Sequence, residues 1–213
     1  MIGTDLRSET CLPQKSLIPL WKDGFMTWHI AVFLVGLVAG NVALLVLGII
    51  DLPKPGNLKL EDLLHPSNAV FKLYLITSAA LFAKTHFMAW AQVWHGCKNN
   101  SFSKNPWDLA TGNPNKPVLK TEQDLVKSTY HNIHGNDIEN IPLTLILHTL
   151  LVLVQPTLQT AQFIMITYTV SRFLHSFWYS WYGSHEIRAT LWSINCFANY
   201  AAVCQILAAC YNL

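Results

Sequence analysis

Long apolar stretches separated by polar breaks run through most of the chain. The first is Thr27–Ile50, whose strongly polar members are His29 and Asn41. The others cover about Asn68–Trp94 with Lys72 and Lys84, about Asp137–Val154, about Thr160–Tyr182 and about Ala189–Tyr211. Each holds roughly 18–27 residues, enough at 1.5 Å per residue to cross a hydrocarbon core ~30 Å thick. Backbone groups cannot go unpaired in lipid, so each stretch is predicted to be a helix. The breaks fit this reading: Asp51-Leu52-Pro53-Lys54-Pro55-Gly56 closes the first stretch, and Gln155-Pro156 separates the third from the fourth. Nothing repeats at a period of 20–50 residues, which excludes a solenoid.

Composition supports the membrane reading. Only 12% of the 213 residues are charged, against about 25% in soluble proteins, while 52% are hydrophobic. A soluble domain so poor in charge would leave large apolar patches in water. The apolar content disfavours disorder, and a net charge of +2 disfavours nucleic-acid binding. Five Cys without paired spacings suggest neither a disulfide framework nor a zinc ribbon. His131 and His134 have a spacing that suits a metal, but no third ligand follows in a recognised pattern, so no metal site is assigned.

The expected fold is an all-α integral membrane bundle. It divides into an N-terminal tail 1–26, a first membrane helix 27–50, a loop 51–67, and a four-helix unit 68–213 that contains a long loop 95–136. Basic residues orient it. The tail, the long loop and the turn before the fifth stretch hold Arg7, Lys15, Lys22, Lys98, Lys104, Lys116, Lys120, Lys127 and Arg188. The opposite side holds Lys54 and Lys59. The N-terminus and the long loop are therefore expected in the cytoplasm, and the C-terminus in the lumen. The sequon at Asn99 would then stay bare. The first stretch is longer than a signal peptide's apolar core, and Gly48-Ile49-Ile50-Asp51 is a poor cleavage site, so it is expected to be an uncleaved anchor.

Ionisable residues inside membrane spans are costly and point to sites. Lys72 lies near enough to a span end to snorkel, whereas Lys84 is nearer mid-span and wants a partner. Asn136, Glu139 and Asn140 follow i, i+3, i+4; Arg172, His175 and Tyr179 follow i, i+3, i+7; Arg188, Trp192, Asn195 and Asn199 follow i, i+4, i+7, i+11. Each set forms one helical stripe, and the three converge toward the cytoplasmic end. Such stripes also serve as interhelical glue, Arg172 with Glu139 as a buried structural ion pair, and Arg188 alone as a loop cation. Taken together, the two guanidiniums and a phenol favour a site for an anionic polar molecule, because Arg holds carboxylates bidentately.

Four motifs then carry a family resemblance. Asn136-Asp137-Ile138-Glu139-Asn140 resembles the Asn-Asp-x-Glu-Asn motif of MAPEG proteins, which include microsomal glutathione transferases, microsomal prostaglandin E synthase and leukotriene C4 synthase. Arg172-Phe-Leu-His175-Ser-Phe-Trp-Tyr179 is similar to the family's Arg-x-x-His-x-x-x-Tyr, and Ile187-Arg188-Ala189 to the Arg entering its last helix. Lys104-Asn105-Pro106-Trp107-Asp108 is similar to its Asn-Pro loop segment. Order and spacing agree across about 68–213, leaving helix 27–50 as an addition to a four-helix MAPEG subunit.

The resemblance implies a homotrimer in the endoplasmic reticulum membrane with glutathione bound between subunits, close to the microsomal glutathione transferase branch. Asn136, Glu139, Arg172, His175, Tyr179 and His134 would bind glutathione, and Arg188 would stabilise its thiolate. A cation beside a thiol of pKa ~8.5 lowers that pKa, and the thiolate attacks a lipophilic electrophile or a lipid hydroperoxide. The chain departs from the pattern at several points. The turn His131-Asn132-Ile133-His134-Gly135 carries no Arg where the family has one. Ala189 replaces the synthase Ser, Trp192 replaces a Tyr, and the loop Cys of the liver-type transferase has no counterpart after Asp108, Cys97 lying earlier. Two alternatives therefore stay open: a prostaglandin E synthase-like isomerase, and a non-catalytic lipid-binding or scaffold member.

Overall fold

The computed structural model describes residues 25–53, 59–99, 125–181 and 185–211. The Lys104–Asp108 segment and residues 1–24 of the tail lie outside them, as does the side chain of Cys97. Among the described residues the chain forms six helices and no strands: α1 Phe25–Val46, α2 Leu60–Leu63, α3 Ala69–Asn99, α4 Leu125–Leu153, α5 Leu158–Ser180 and α6 His185–Tyr211.

Local chemistry sets several of these ends. α1 stops four residues before the apolar stretch does, because Gly48 takes φ +65° just past the helix. That left-handed turn suits glycine and lets the amide of Ile49 return to the Leu44 carbonyl at 2.9 Å. α4 and α5 are separated by Gln155-Pro156, with Gln155 itself at φ 54°. Thr157 then caps α5 by accepting from the amide of Thr160. The stretch 51–67, expected to be a loop, contains the single-turn helix α2; Glu61 and Asp62 stand in its first turn, where carboxylates favour a helix N-terminus.

Helices α3 and α4 run further than hydropathy indicates. α3 continues to Asn99, and α4 begins at Leu125 rather than near Asp137, so the connection is shorter than the loop read as 95–136. Hydropathy registers the lipid-matched part of a helix, whereas backbone hydrogen bonding continues past it regardless of side-chain polarity. For the same reason, of the five predicted spans only Ile187–Tyr211 is, among the described residues, long and apolar enough by itself to cross a membrane; Phe33–Val46 is a shorter apolar stretch. Polar residues inside α3, α4 and α5 dilute their apolar character, and their burial explains why they are tolerated.

α3 packs along α4, and α5 along α6, with α3–α5, α4–α5 and α4–α6 contacts closing a four-helix bundle. Fully buried Ala198, Ala201 and Ala202 bring α6 close to its neighbours. One core cluster joins Leu63, Leu151, Val152, Ile164 and Met165 to Ala201 and Ala202; another joins Leu81, Ile141 and Tyr168 to Ala198.

α1 lies outside this bundle, against α6. Its inward stripe holds Phe33, Leu37, Gly40, Asn41 and Leu44, while Val35, Val38, Val42 and Val46 are exposed. An outward face of valines is stable against lipid and costly in water. Below α1, the Asp51 amide donates to Thr160 Oγ1 at 2.9 Å and Gln159 Nε2 donates to the Gly48 carbonyl at 3.2 Å. These bonds fix the end of α1 to the start of α5.

Candidate functional site

The most deeply buried charges belong to three helices. Asp137 of α4 accepts from Lys84 Nζ of α3 and from Arg172 Nη2 of α5, the latter at 2.6 Å. The Asp137 and Arg172 side chains are wholly buried, and Lys84 is 4% exposed. Arg172 Nη2 also donates to the Asn136 carbonyl at 3.2 Å, which accepts from Asn140 Nδ2 at 2.7 Å as well. A lone charge at this depth would be prohibitive, and shared bonds to one carboxylate make the cluster affordable.

The cluster carries two cations and one anion, so one positive charge remains in excess. Arg172 Nε and Nη1 are buried without a protein partner, as are Asn136 Oδ1 and His175 Nδ1. The group therefore retains donors and an acceptor beyond those its ion pairs use. That chemistry fits a polar, anionic molecule such as a peptide carrying carboxylates.

A second arrangement lies further along α5. The guanidinium of Arg188 stacks over the Tyr179 ring, 4.3 Å from its centroid, and Tyr179 meets His175 edge-on at 5.9 Å. Arg172, His175 and Tyr179 thus form one stripe leading from the buried cluster to Arg188. The third stripe joins them from α6: Asn195 accepts from Ser171, and Asn199 donates to Thr144 at 2.8 Å. A deeper polar pair, His148 and Tyr168, stacks edge-on at 5.6 Å.

Five of the expected site residues, Asn136, Arg172, His175, Tyr179 and Arg188, are linked in this way. His134 is half-buried one turn before Asp137. Glu139 is exposed, and the suggested Arg172–Glu139 pair does not form. Two residues along a helix is a rotation of about 200°, so Glu139 leaves the bundle on the side opposite buried Asp137. The partner of Arg172 is Asp137, to which sequence reasoning assigned no role. A signal was present in Lys84, a mid-span cation in need of a carboxylate.

A model of the MAPEG family matches residues 74–208, from early in α3 almost to the end of α6, leaving α1 outside. No curated protein and no solved structure matches the chain. The matched stretch contains the whole Lys84–Asp137–Arg172 cluster and the Tyr179–Arg188 stack, and it exceeds half of the sequence; the chain belongs to the MAPEG family.

Proposed function

We propose that this chain is a membrane-bound glutathione transferase or peroxidase of the microsomal glutathione transferase type, acting on lipophilic electrophiles or lipid hydroperoxides. Family membership supports a glutathione-related transferase or isomerase activity. The observation that carries the finer reading is the seating of Arg188 on Tyr179, in line with His175 and the partly unspent guanidinium of Arg172.

Arg172, His175, Tyr179, Asn136 and His134 bind the glutathione peptide, and Arg188 faces its sulfur. A guanidinium stays charged at every physiological pH and is weakly hydrated, so it stabilises a thiolate without itself exchanging a proton. Stacking on the Tyr179 ring limits the positions that Arg188 samples, which orients its charge in advance. The thiol proton leaves to solvent. The exposed position of Glu139 suits a role toward glutathione held by a neighbouring subunit of a homotrimer. Nine Lys and Arg in the tail, the 95–136 stretch and the residues before the fifth span, against Lys54 and Lys59 on the opposite side, support a cytoplasmic N-terminus, and we assign the protein to the endoplasmic reticulum membrane.

Calorimetry with glutathione on the detergent-solubilised protein, together with ultraviolet absorbance of bound thiolate, tests the reading. Absence of both sinks it. A non-catalytic lipid-binding or scaffold role is the second reading, motivated by residues 131–135 of α4, which lack Arg, and by the commitment of Arg172 Nη2 to Asp137. Ala189, in place of a Ser hydroxyl, counts against a synthase-type isomerase.

A further inference from the structure

Helix α1 stands outside the family match, yet its packing brings it next to the reactive end of the bundle. Phe33 stacks on Trp192 of α6, with ring centroids 6.0 Å apart and planes 23° apart. Trp192 is one helical turn beyond Arg188 on the same face of α6. Further along, a Cβ on Gly40 would lie 2.6 Å from Cε2 of Phe197, so the edge of that α6 ring rests directly on the glycine of α1. Phe33 with Trp192, and Gly40 with Phe197, advance together, so α1 runs parallel to α6. Its far end is held by the Asp51–Thr160 and Gln159–Gly48 bonds. Trp192 remains 41% exposed and Leu34 49% exposed beside this contact, leaving an apolar rim open to the bilayer.

From this we infer that Phe33, stacked on Trp192, is the bilayer-side wall of the acceptor site and restricts acceptors to slim, unbranched acyl chains. The inference rests on the transferase reading and assigns a role to the helix that the family match omits. A flat aromatic pair offers apolar contact along one edge. Because α1 is tied at its far end and tightly seated at Gly40, the wall cannot swing aside to admit a fused-ring molecule. A flexible chain lies along the rim with its reactive carbon or peroxide directed one turn back toward Arg188.

The test uses the full-length protein and Phe33→Ala, with Phe33→Leu as a conservative variant in case the smaller side chain loosens α1. Two electrophiles with the same reactive group, one on a linear alkyl chain and one on a fused-ring system, are compared by kcat/KM. Phe33→Ala is expected to raise the fused-ring to linear ratio by about tenfold, Phe33→Leu by less, with glutathione affinity unchanged. An unchanged ratio in both variants overturns the inference. If the protein binds no glutathione, the transferase reading fails separately, and photoactivatable probes of the two shapes carry the test. The linear probe should then label the Trp192 segment in every protein, and the fused-ring probe only in the Phe33 variants. Equal labelling by both probes in the unaltered protein overturns the wall.

Discussion

Arg172 donates to Asp137 Oδ1 at 2.6 Å, and neither side chain retains any exposure. The pair ties α5 to α4 at the level where the Asn136–Asn140 segment turns past the bundle interior, and Lys84 attaches α3 to the same carboxylate. Within the membrane such a junction is an alternative to apolar packing, because lipid competes with apolar contacts and not with ion pairs. It also fixes the polar stripe from which His175 and Tyr179 extend toward Arg188.

Removing the shared carboxylate should therefore be severe. Asp137→Asn leaves two buried cations without an anion, and the expected loss is about 3–5 kcal/mol, the range for breaking a buried pair from one side. Lys84→Met should cost less, since Asp137 and Arg172 then remain as a neutral pair. Thermal unfolding in detergent checks the order; equal stability of Asp137→Asn and the unaltered protein would remove the cluster from the fold's energetics.

Arg188→Ala should reduce glutathione conjugation about 100-fold or more while the elution volume of the protein is unchanged, since one electrostatic donor at a developing charge has about that effect. Arg188→Lys should retain part of the rate, as the ammonium keeps charge and loses the planar stack. Steady-state kinetics with a lipophilic electrophile decides.

The Tyr179 ring, rather than its hydroxyl, seats the guanidinium. Tyr179→Leu removes a cation–π contact worth about 0.5–2 kcal/mol, whereas Tyr179→Phe keeps it. With Arg188 less well placed, the thiol pKa rises and the rate–pH profile moves to higher pH. A profile that shifts equally in Tyr179→Phe would assign the effect to the hydroxyl instead.

The part of α4 just before Asn136, read from the sequence as a turn and helical in the structure, offers a gain of function. Asn132 is exposed, and Asn132→Arg supplies a cation where the family places one. A charge-assisted bond to a glutathione carboxylate contributes about 1.5–3 kcal/mol, so affinity should rise at least about tenfold. Calorimetry measures it; an unchanged affinity argues that this face of α4 does not meet the ligand.

Gly40 tests the seating of α1. Its neighbour is the far end of the Phe197 ring, so Gly40→Ala should be absorbed by a small ring movement. Gly40→Leu should overpack the contact, at about 1–3 kcal/mol. Protease sensitivity of α1 distinguishes them, and equal resistance in both variants would mean that α1 is held by its far end alone.

Much of the bundle is legible in the one-dimensional pattern, because a membrane permits few choices. A long apolar stretch must be helical, Gln155-Pro156 must interrupt it, and helical spacing alone places Arg172, His175 and Tyr179 on one stripe. Helix ends were harder to read. The polar ends of α3 and α4 extend beyond their apolar parts, and α2 is a single turn with no apolar period to detect.

Partner choice was not legible. Asp137 and Glu139 are both carboxylates in one motif, and spacing groups Glu139 with Asn136 without saying which face meets Arg172. Local periodicity and residue type are enough to fix the long helices, their polar stripes and the family pattern. Packing in three dimensions adds that Asp137 rather than Glu139 takes Arg172, that Lys84 shares it, and that α1 seats Phe33 on Trp192. Those outcomes depend on the rotation and closeness of helices distant in sequence, set jointly by the buried alanines of α6, the hydrogen at Gly40 and one carboxylate shared by two cations.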